Sequence, residues 1–163
     1  MTAIDPAAKK KMLRDFTYGL YAVTAAHDGE RGVFTANWLS QASFEPPLVM
    51  LSVELESSTL PLIRASGRFA VCPLRHDQKE LAGALGRPKS RAGDKFAAYG
   101  LAIGESGSGV PVLVDSLGYV VCAVRDELPA GDSIVFLAEV IEAHSFSDEP
   151  PLDMRVAGFR HAG

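Results

Sequence analysis

The fold is constrained most by a succession of short β-forming runs that are separated by segments of hairpin-turn length. Residues 20–26 form one run, the turn-forming residues 27–30 (HDGE) follow, and residues 31–38 form a second run. This pattern predicts a β-hairpin, and two longer runs at 118–127 and 133–146 predict another. Regular alternation of strands with helices, which marks a parallel doubly wound sheet, is missing. The sequence therefore favours an antiparallel barrel with a few helices, because closing the sheet leaves few exposed edges.

The central part of the chain adds strands and loops to this pattern. Apolar runs at residues 48–54 and 69–74 predict two further strands. Two adjacent prolines end the stretch 39–47, and because proline cannot donate to a strand ladder, this stretch is predicted to be an irregular polar loop. The glycine-rich residues 104–109 lack a following helix, so they are predicted to be a flexible surface connector and not a phosphate-binding loop.

Helices are predicted at the start of the chain and between the central strands. Asp5 can cap the first helix, and Pro6 suits its first position, ahead of apolar residues at helical spacing. A short second helix is expected to start at Ser57 or Ser58, either of which can cap it. A third helix is predicted over residues 76–85.

Length and charge limit the classes of function. The 163 residues suffice for one domain, expected over residues 1–163, with a core that needs no disulfide or metal. The formal charge is −4, from 16 Lys plus Arg and 20 Asp plus Glu, so no cationic field favours nucleic acid. No apolar run approaches the roughly 20 residues that span a bilayer, and no secretory signal is visible. We therefore expect a cytoplasmic protein that binds neither nucleic acid nor membrane, with Cys72 and Cys122 reduced and buried.

The motifs of covalent catalysis and metal binding are missing, and polar residues gather instead in two segments. The four histidines are scattered with no spacing that would bring two together on one metal. Residues 35–43 combine hydroxyls and amides with a large ring, and residues 57–59 supply three hydroxyls at a predicted helix start. Hydroxyls and free amides there can hold a phosphate, or the hydroxyls can simply cap the helix. Trp38 can likewise be a stacking surface or a core aromatic residue.

Three ordered stretches resemble the flavin reductase-like, FMN-binding split-barrel family. They are residues 16–24, 34–49 and 66–71, and shorter matches follow in the same order down to residues 130–132. Each motif is weak by itself, but the ordered set covers nearly the whole chain. The resemblance implies a mainly β fold, a six-stranded antiparallel split barrel with a few peripheral helices. It also implies a homodimer that holds FMN, or FAD, near the subunit interface.

The resemblance implies four groups of cofactor-binding residues. They are Thr35, Asn37, Trp38 and Ser40 along the flavin and its ribityl chain, Ser52 and Glu54 on the strand that faces the isoalloxazine, Ser57, Ser58 and Thr59 at the phosphate, and Lys95 and Phe96 in a segment that closes over the cofactor. No residue is expected to act as a covalent catalyst, since the flavin performs the redox step and the protein tunes its potential and access.

The implied function is NAD(P)H-dependent reduction of FMN or FAD, with the electrons passed on to an acceptor or to a redox partner such as an oxygenase. One departure opens an alternative. Reductases that resemble this chain commonly carry Gly-Asp-His in the last hairpin, with the His near the nicotinamide, whereas this chain has Gly131-Asp132-Ser133. The alternative is an electron-transfer protein or flavin-binding module without an efficient nicotinamide site. A barrel that binds another small ligand and no flavin is a third hypothesis.

Overall fold

The computed structural model describes residues 3–160, which form six helices and nine strands. The helices are α1 (Pro6–Asp15), α2 (Leu60–Ser66), α3 (Lys79–Leu85), α4 (Lys89–Ala92), α5 (Lys95–Ala98) and α6 (Met154–Ala157). The strands are β1 (Tyr21–His27), β2 (Glu30–Ala36), β3 (Leu39–Ser43), β4 (Leu48–Glu54), β5 (Arg68–Pro73), β6 (Ile103–Glu105), β7 (Pro111–Leu113), β8 (Gly118–Ala130) and β9 (Ser133–Ser145). In the described part of the chain, no helix is both long and apolar enough to cross a membrane.

Seven strands form one antiparallel sheet in the order β2-β1-β5-β8-β9-β4-β3, and β6 and β7 pair separately. The mainly β class is as predicted, but the sheet has seven strands and not six. The additional strand is β3, in the stretch predicted to be an irregular loop. Its Leu39 and Ser40 pair with Leu51 and Met50 of β4. The prediction was wrong because the two prolines lie in the turn after β3 and leave its ladder intact.

The sheet curls into a barrel because its two edge strands are consecutive in the chain. β2 and β3 lie at opposite edges, yet only Asn37 and Trp38 separate them. Three Cα–Cα steps of about 3.8 Å cover about 11 Å at most, so the two edges must come together. Beside the link, the Ser52 amide donates to the Trp38 carbonyl at 3.0 Å, which ties β4 to the junction.

The core has two layers, one on each face of the central strands. Inside the barrel, Leu51, Phe69 and Phe136 are fully buried, and the two phenylalanine rings lie 6.5 Å apart. A second cluster packs α3 and α6 against the outer face of β1, β5 and β8. Cys72 and Cys122 are both buried and unpaired, as predicted, and burial raises their thiol pKa to about 11 and about 12.

Two local predictions differ from the structure. The glycine-rich connector is held in place: the Glu142 carboxylate accepts hydrogen bonds from the amides of Gly107 and Ser108 and from the hydroxyl of Tyr119. The hydrogen bond from Tyr119 is the first cause of the lowered pKa of Glu142. The second helix begins after Thr59, one residue beyond the predicted caps, whereas Asp5 caps α1 as predicted. The first difference could not be read from composition, because the contacts of Glu142 with Gly107 and Ser108 are distant in sequence.

Candidate functional site

A cleft of about 1310 Å³ opens where β2 passes into β3. Its walls come from the end of β2, from β4 and the turn that follows it, from the segment between α3 and α5, and from α6 with the two residues after Gly158. The volume exceeds the roughly 300–1,000 Å³ of common small-molecule sites. The cleft therefore has room for a large ligand or for two ligands side by side.

Nine of the eleven predicted binding residues line this cleft, namely Thr35, Asn37, Trp38, Ser52, Glu54, Ser57, Ser58, Thr59 and Lys95. Ser40 and Phe96 do not. Ser40 lies on the exposed edge strand β3, where its hydroxyl donates to the carbonyl of Gln41 at 3.1 Å. Phe96 is only 3% exposed and packs in the core, with the Arg31 guanidinium 4.4 Å above its ring. Their predicted direct role in cofactor binding therefore finds no support in the geometry of the cleft.

Hydrogen bonds fix the β2 wall against the helices. The Thr35 hydroxyl donates to the Ala82 carbonyl of α3 at 2.5 Å. The Asn37 side-chain amide donates to the Met154 sulfur of α6 at 3.1 Å. The bond to Ala82 uses the only donor of the Thr35 hydroxyl, whereas the Asn37 amide keeps its second N–H and its oxygen for a ligand. Their positions are nevertheless set before any ligand arrives.

The three hydroxyl residues after β4 have different local partners. Ser57 stabilises the turn, because its Oγ accepts from the Thr59 amide at 3.3 Å. Thr59 is buried against β2, where a Cβ at Gly32 would lie 2.6 Å from the Thr59 Oγ1, so only glycine allows this approach. Ser58 is exposed, and among residues 3–160 neither its amide nor its hydroxyl has a hydrogen-bond partner. The N-cap residue of α2 is Thr59, and its side chain makes no capping hydrogen bond. Of the two roles left open by the sequence, capping by these hydroxyls is therefore not observed, and Ser58 remains available to a ligand.

The segment between α3 and α5 forms a wall that sequence reasoning did not assign to the site. Arg87, Lys89 and Ser90 line the cleft here and are exposed. The basic character of residues 86–95 was visible in the sequence, but a loop has no periodicity that would show which way it faces. Arg87 and Lys89 place positive charge in the same cleft as the Ser58 amide and hydroxyl.

Lys95 attaches this wall to the barrel. Its ammonium donates to the Val33 carbonyl at 3.1 Å and also to the Leu85 carbonyl, and the residue is only 8% exposed. Burial lowers the pKa of Lys95, since a desolvated ammonium is less stable than a solvated one. A weak ion pair between Arg31 and Asp94, at 3.5 Å, supports the same junction. Lys95 lines the cleft as predicted, but two of its three donors hold the protein together.

The described cleft residues include no histidine and no cysteine. Ser133, the residue that departs from the Gly-Asp-His pattern, is buried outside the cleft, where its hydroxyl donates to Asp132 at 3.0 Å. The walls thus offer hydroxyls, amides, backbone groups and cations, a donor set suited to binding a polyol phosphate with a flat ring. Such a site binds and orients a reactive ligand, and the ligand itself carries out the reaction.

Comparison with known proteins identifies the class. The flavin reductase like domain family matches residues 12–162, and the chain belongs to that family. This confirms the resemblance, and with it an oxidoreductase that acts on flavin. A flavin-dependent monooxygenase reductase subunit, HsaB, of Mycobacterium tuberculosis is 33% identical over 152 residues, which are 93% of this chain and 77% of the relative.

Two further relatives agree with this assignment. The reductase component of a 4-nitrophenol 4-monooxygenase/4-nitrocatechol 2-monooxygenase from Rhodococcus opacus is 31% identical over 90% of this chain and 76% of its own length. The solved NADH:FAD oxidoreductase SgcE6 of Streptomyces globisporus, in complex with NAD and FAD fragments, superposes with a TM-score of 0.82. It is 25% identical, and the match covers 100% of this chain and 98% of that one. The split-barrel architecture is therefore shared along the whole chain.

We predict that replacing Lys95 with Met lowers the free energy of unfolding by about 1–3 kcal/mol, because two buried carbonyls lose a charged donor. Lys89→Met is the matched control: Lys89 also lines the cleft but is exposed, so a change within about 0.5 kcal/mol is expected. Urea unfolding of both variants measures the difference. Equal stabilities would mean that the Lys95 ammonium does not anchor this wall.

Proposed function

We propose that the protein oxidises a nicotinamide nucleotide, reduces a flavin held in the cleft, and supplies reduced flavin to a separate oxygenase. The observation that carries the proposal is Ser58, which lines the cleft and whose amide and hydroxyl have no hydrogen-bond partner among residues 3–160. Two adjacent donors in the same cleft as Arg87 and Lys89 suit a phosphate. The family to which the chain belongs supports a flavin nucleotide as the ligand that carries this phosphate.

The other cleft residues also fit a flavin nucleotide. Thr35 and Asn37 retain oxygen acceptors for the hydroxyls of a ribityl chain, and Trp38 adds a large aromatic ring. Ser52 and Glu54 continue the same wall from β4. When bound, the flavin supplies the hydride and electron chemistry. The residues of this chain bind and orient it and limit the access of water.

Either FMN or FAD has the phosphate that Ser58 suits, and one observation favours FAD with NADH as the donor. The Streptomyces globisporus relative is an NADH:FAD oxidoreductase. Two of the relatives are reductase components of monooxygenases, which supports an oxygenase as the acceptor of the reduced flavin. A cytoplasmic location stays a prediction.

The alternative, a flavin module without a nicotinamide site, was motivated by Ser133. Ser133 is buried and does not itself line the cleft, but it is the cross-strand partner of Glu54, which does. The position therefore borders the cleft, and the electron-carrier alternative is decided by the nucleotide oxidation test below.

The proposal predicts that the protein oxidises NADH under anaerobic conditions in the presence of FAD, with loss of the yellow flavin absorbance in equal amount. The two signals match because each NADH gives up one hydride, and one hydride with one proton fully reduces one flavin. NADPH and FMN are tested in parallel, and the same mixture without protein is the control. A protein that binds flavin but oxidises neither nucleotide would instead support the electron-carrier alternative.

For the phosphate contact, we predict that Ser58→Ala raises the dissociation constant of FMN about tenfold, since a hydrogen bond to a charged group contributes about 1.5 kcal/mol or more. Riboflavin has no phosphate, so its affinity should not change. Quenching of flavin fluorescence measures both constants. Ser40→Ala is the control, because Ser40 is likewise an exposed serine but does not line the cleft, so neither constant should change. Equal weakening by Ser58→Ala would contradict the phosphate contact.

We further propose that the protein is a homodimer through the outer face of β4 and β9. Met50 of β4 lies opposite Leu137 of β9. Val135 of β9 lies opposite Ser52 of β4 on one side and Leu128 of β8 on the other. Since the intervening Leu51 and Phe136 point to the core, these side chains all face away from it. Exposed apolar patches of this kind favour association, and Ser52 connects this one to the cleft.

We predict that Met50→Lys converts the dimer to a monomer, because a charge at its centre would be buried without a partner. Light scattering coupled to size-exclusion chromatography measures the mass. Val114→Lys is the control, since Val114 is 40% exposed against 42% for Met50 but follows β7, away from the outer face of β4 and β9. A wild-type monomer at micromolar concentration, or a Met50→Lys variant that remains dimeric, would contradict this interface.

A further inference from the structure

A methionine, Met154, forms part of the wall of the main cleft. It is the first residue of α6, and its amide donates to the Tyr18 carbonyl at 2.9 Å. The residue is only 7% exposed and belongs to the outer core cluster, yet it also lines the cleft. Met154 therefore lies at the boundary between the outer core and the space that a ligand enters.

The sulfur of Met154 has a specific partner. It accepts a hydrogen bond from the side-chain amide of Asn37 at 3.1 Å. Asn37 also lines the cleft and is one of the two residues that link β2 to β3. One N–H of Asn37 is thus held at the sulfur, and its second N–H and its oxygen remain for a ligand. Met154 is therefore a positioning residue for Asn37.

Met154 differs from the other methionines among residues 3–160. Met12 on α1 is 49% exposed, Met50 on β4 is exposed as well, and neither lines the cleft. The described cleft residues include no cysteine, so Met154 supplies their only sulfur. Oxidation converts a methionine thioether into a sulfoxide, which is polar and chiral. The cleft thus contains one side chain that an oxidant changes from apolar to polar.

The oxidant is hydrogen peroxide, and the proposed function supplies it. When no acceptor takes the electrons, reduced flavin and dioxygen give oxidised flavin and hydrogen peroxide, with the electrons and protons going to oxygen. The sulfur of Met154 then attacks one peroxide oxygen, the O–O bond breaks, an S=O bond forms and water leaves. Sulfur is oxidised by the same electron pair that reduces the peroxide. A reductase without its acceptor therefore produces the oxidant of its own cleft residue.

We propose that Met154 is an oxidation site at which hydrogen peroxide lowers the affinity of the cleft for flavin. The proposal rests on the proposed function for the source of the peroxide and for the identity of the ligand. Oxidation adds an oxygen to the sulfur that Asn37 contacts. This oxygen either separates the sulfur from the Asn37 amide or is buried without a donor, which is costly. In both cases Asn37 leaves its position at the β2–β3 link.

The effect is reversible, because methionine sulfoxide reductases restore the thioether. Weaker flavin binding would slow a reductase that passes its electrons to dioxygen and not to its acceptor. Repair of Met154 would then return the protein to full affinity. The site thus couples the supply of reduced flavin to the amount of peroxide around the protein.

The first experiment locates the oxidation. The full chain is treated with hydrogen peroxide, with and without saturating FMN, and peptide mass spectrometry measures the sulfoxide at each methionine. We expect FMN to slow the oxidation of Met154 several-fold and to leave that of Met12 unchanged, because Met12 lies outside the cleft. A Met154 that stays reduced, or that bound FMN does not protect, would overturn the proposal.

The second experiment measures the consequence for binding. Peroxide treatment is expected to raise the dissociation constant of FMN about tenfold in the wild type, and methionine sulfoxide reductase should reverse the change. Met154→Leu conserves the volume but has no sulfur, so peroxide should not alter its constant from whatever value it starts. Met12→Leu is the matched control and should respond like the wild type. An equal loss of affinity in Met154→Leu and the wild type would overturn the proposal.

A third readout separates this proposal from the proposed function. The ¹⁵N signal of the Asn37 side-chain amide is expected to shift on oxidation in the wild type and in Met12→Leu, but not in Met154→Leu. This measurement needs neither flavin nor turnover, so a protein that shows the shift but reduces no flavin would contradict the proposed function alone. An unmoved Asn37 signal after complete oxidation of Met154 would contradict the oxidation site alone.

Discussion

The structure depends on a short covalent link between the two edges of its sheet. Asn37 and Trp38 alone connect β2 to β3, so strands at opposite ends of a seven-stranded sheet must meet. The same two residues line the cleft, and the Trp38 carbonyl is bonded to β4 at 3.0 Å. The same two-residue link therefore closes the barrel and forms part of the cleft. Closing the barrel creates the cleft, and the cleft cannot open widely without parting the edges of the sheet.

Much of this arrangement could be predicted from the sequence, where periodicity or turn chemistry was strong. The first hairpin and the strand Leu48–Glu54 lie where they were predicted, because the β-forming and apolar runs and the HDGE turn leave clear signals. β3 was missed since it is a polar, exposed edge strand whose residues resemble those of a loop. Phe96 and Ser40 share segments with true cleft residues but point elsewhere, and side-chain direction depends on packing that composition does not reveal.

Most polar side chains around the cleft form hydrogen bonds within the protein. Thr35 and Asn37 bond to helices, Lys95 bonds to two backbone carbonyls, and Ser57 stabilises its own turn. This leaves Ser58 and the exposed cations as the groups that can respond to an anion. Sequence reasoning placed nine residues that line the cleft but could not separate these two roles, because most of the partners are distant in the chain. Pre-positioned walls with few free donors favour selective binding, since little has to be reordered.

The strand order also has a consequence for biosynthesis. β4 pairs with β9, from Leu48 opposite Glu139 to Glu54 opposite Ser133, so its partner is translated some eighty to ninety residues later. At about 5–20 residues per second, a ribosome needs roughly 4–18 seconds to reach β9. During that interval the apolar face of nascent β4 is not yet covered by β9. Exposed apolar strands of this kind are prone to aggregation and are bound by chaperones. The strand that carries Ser52 and Glu54 thus acquires its native surroundings only after β9 has been translated.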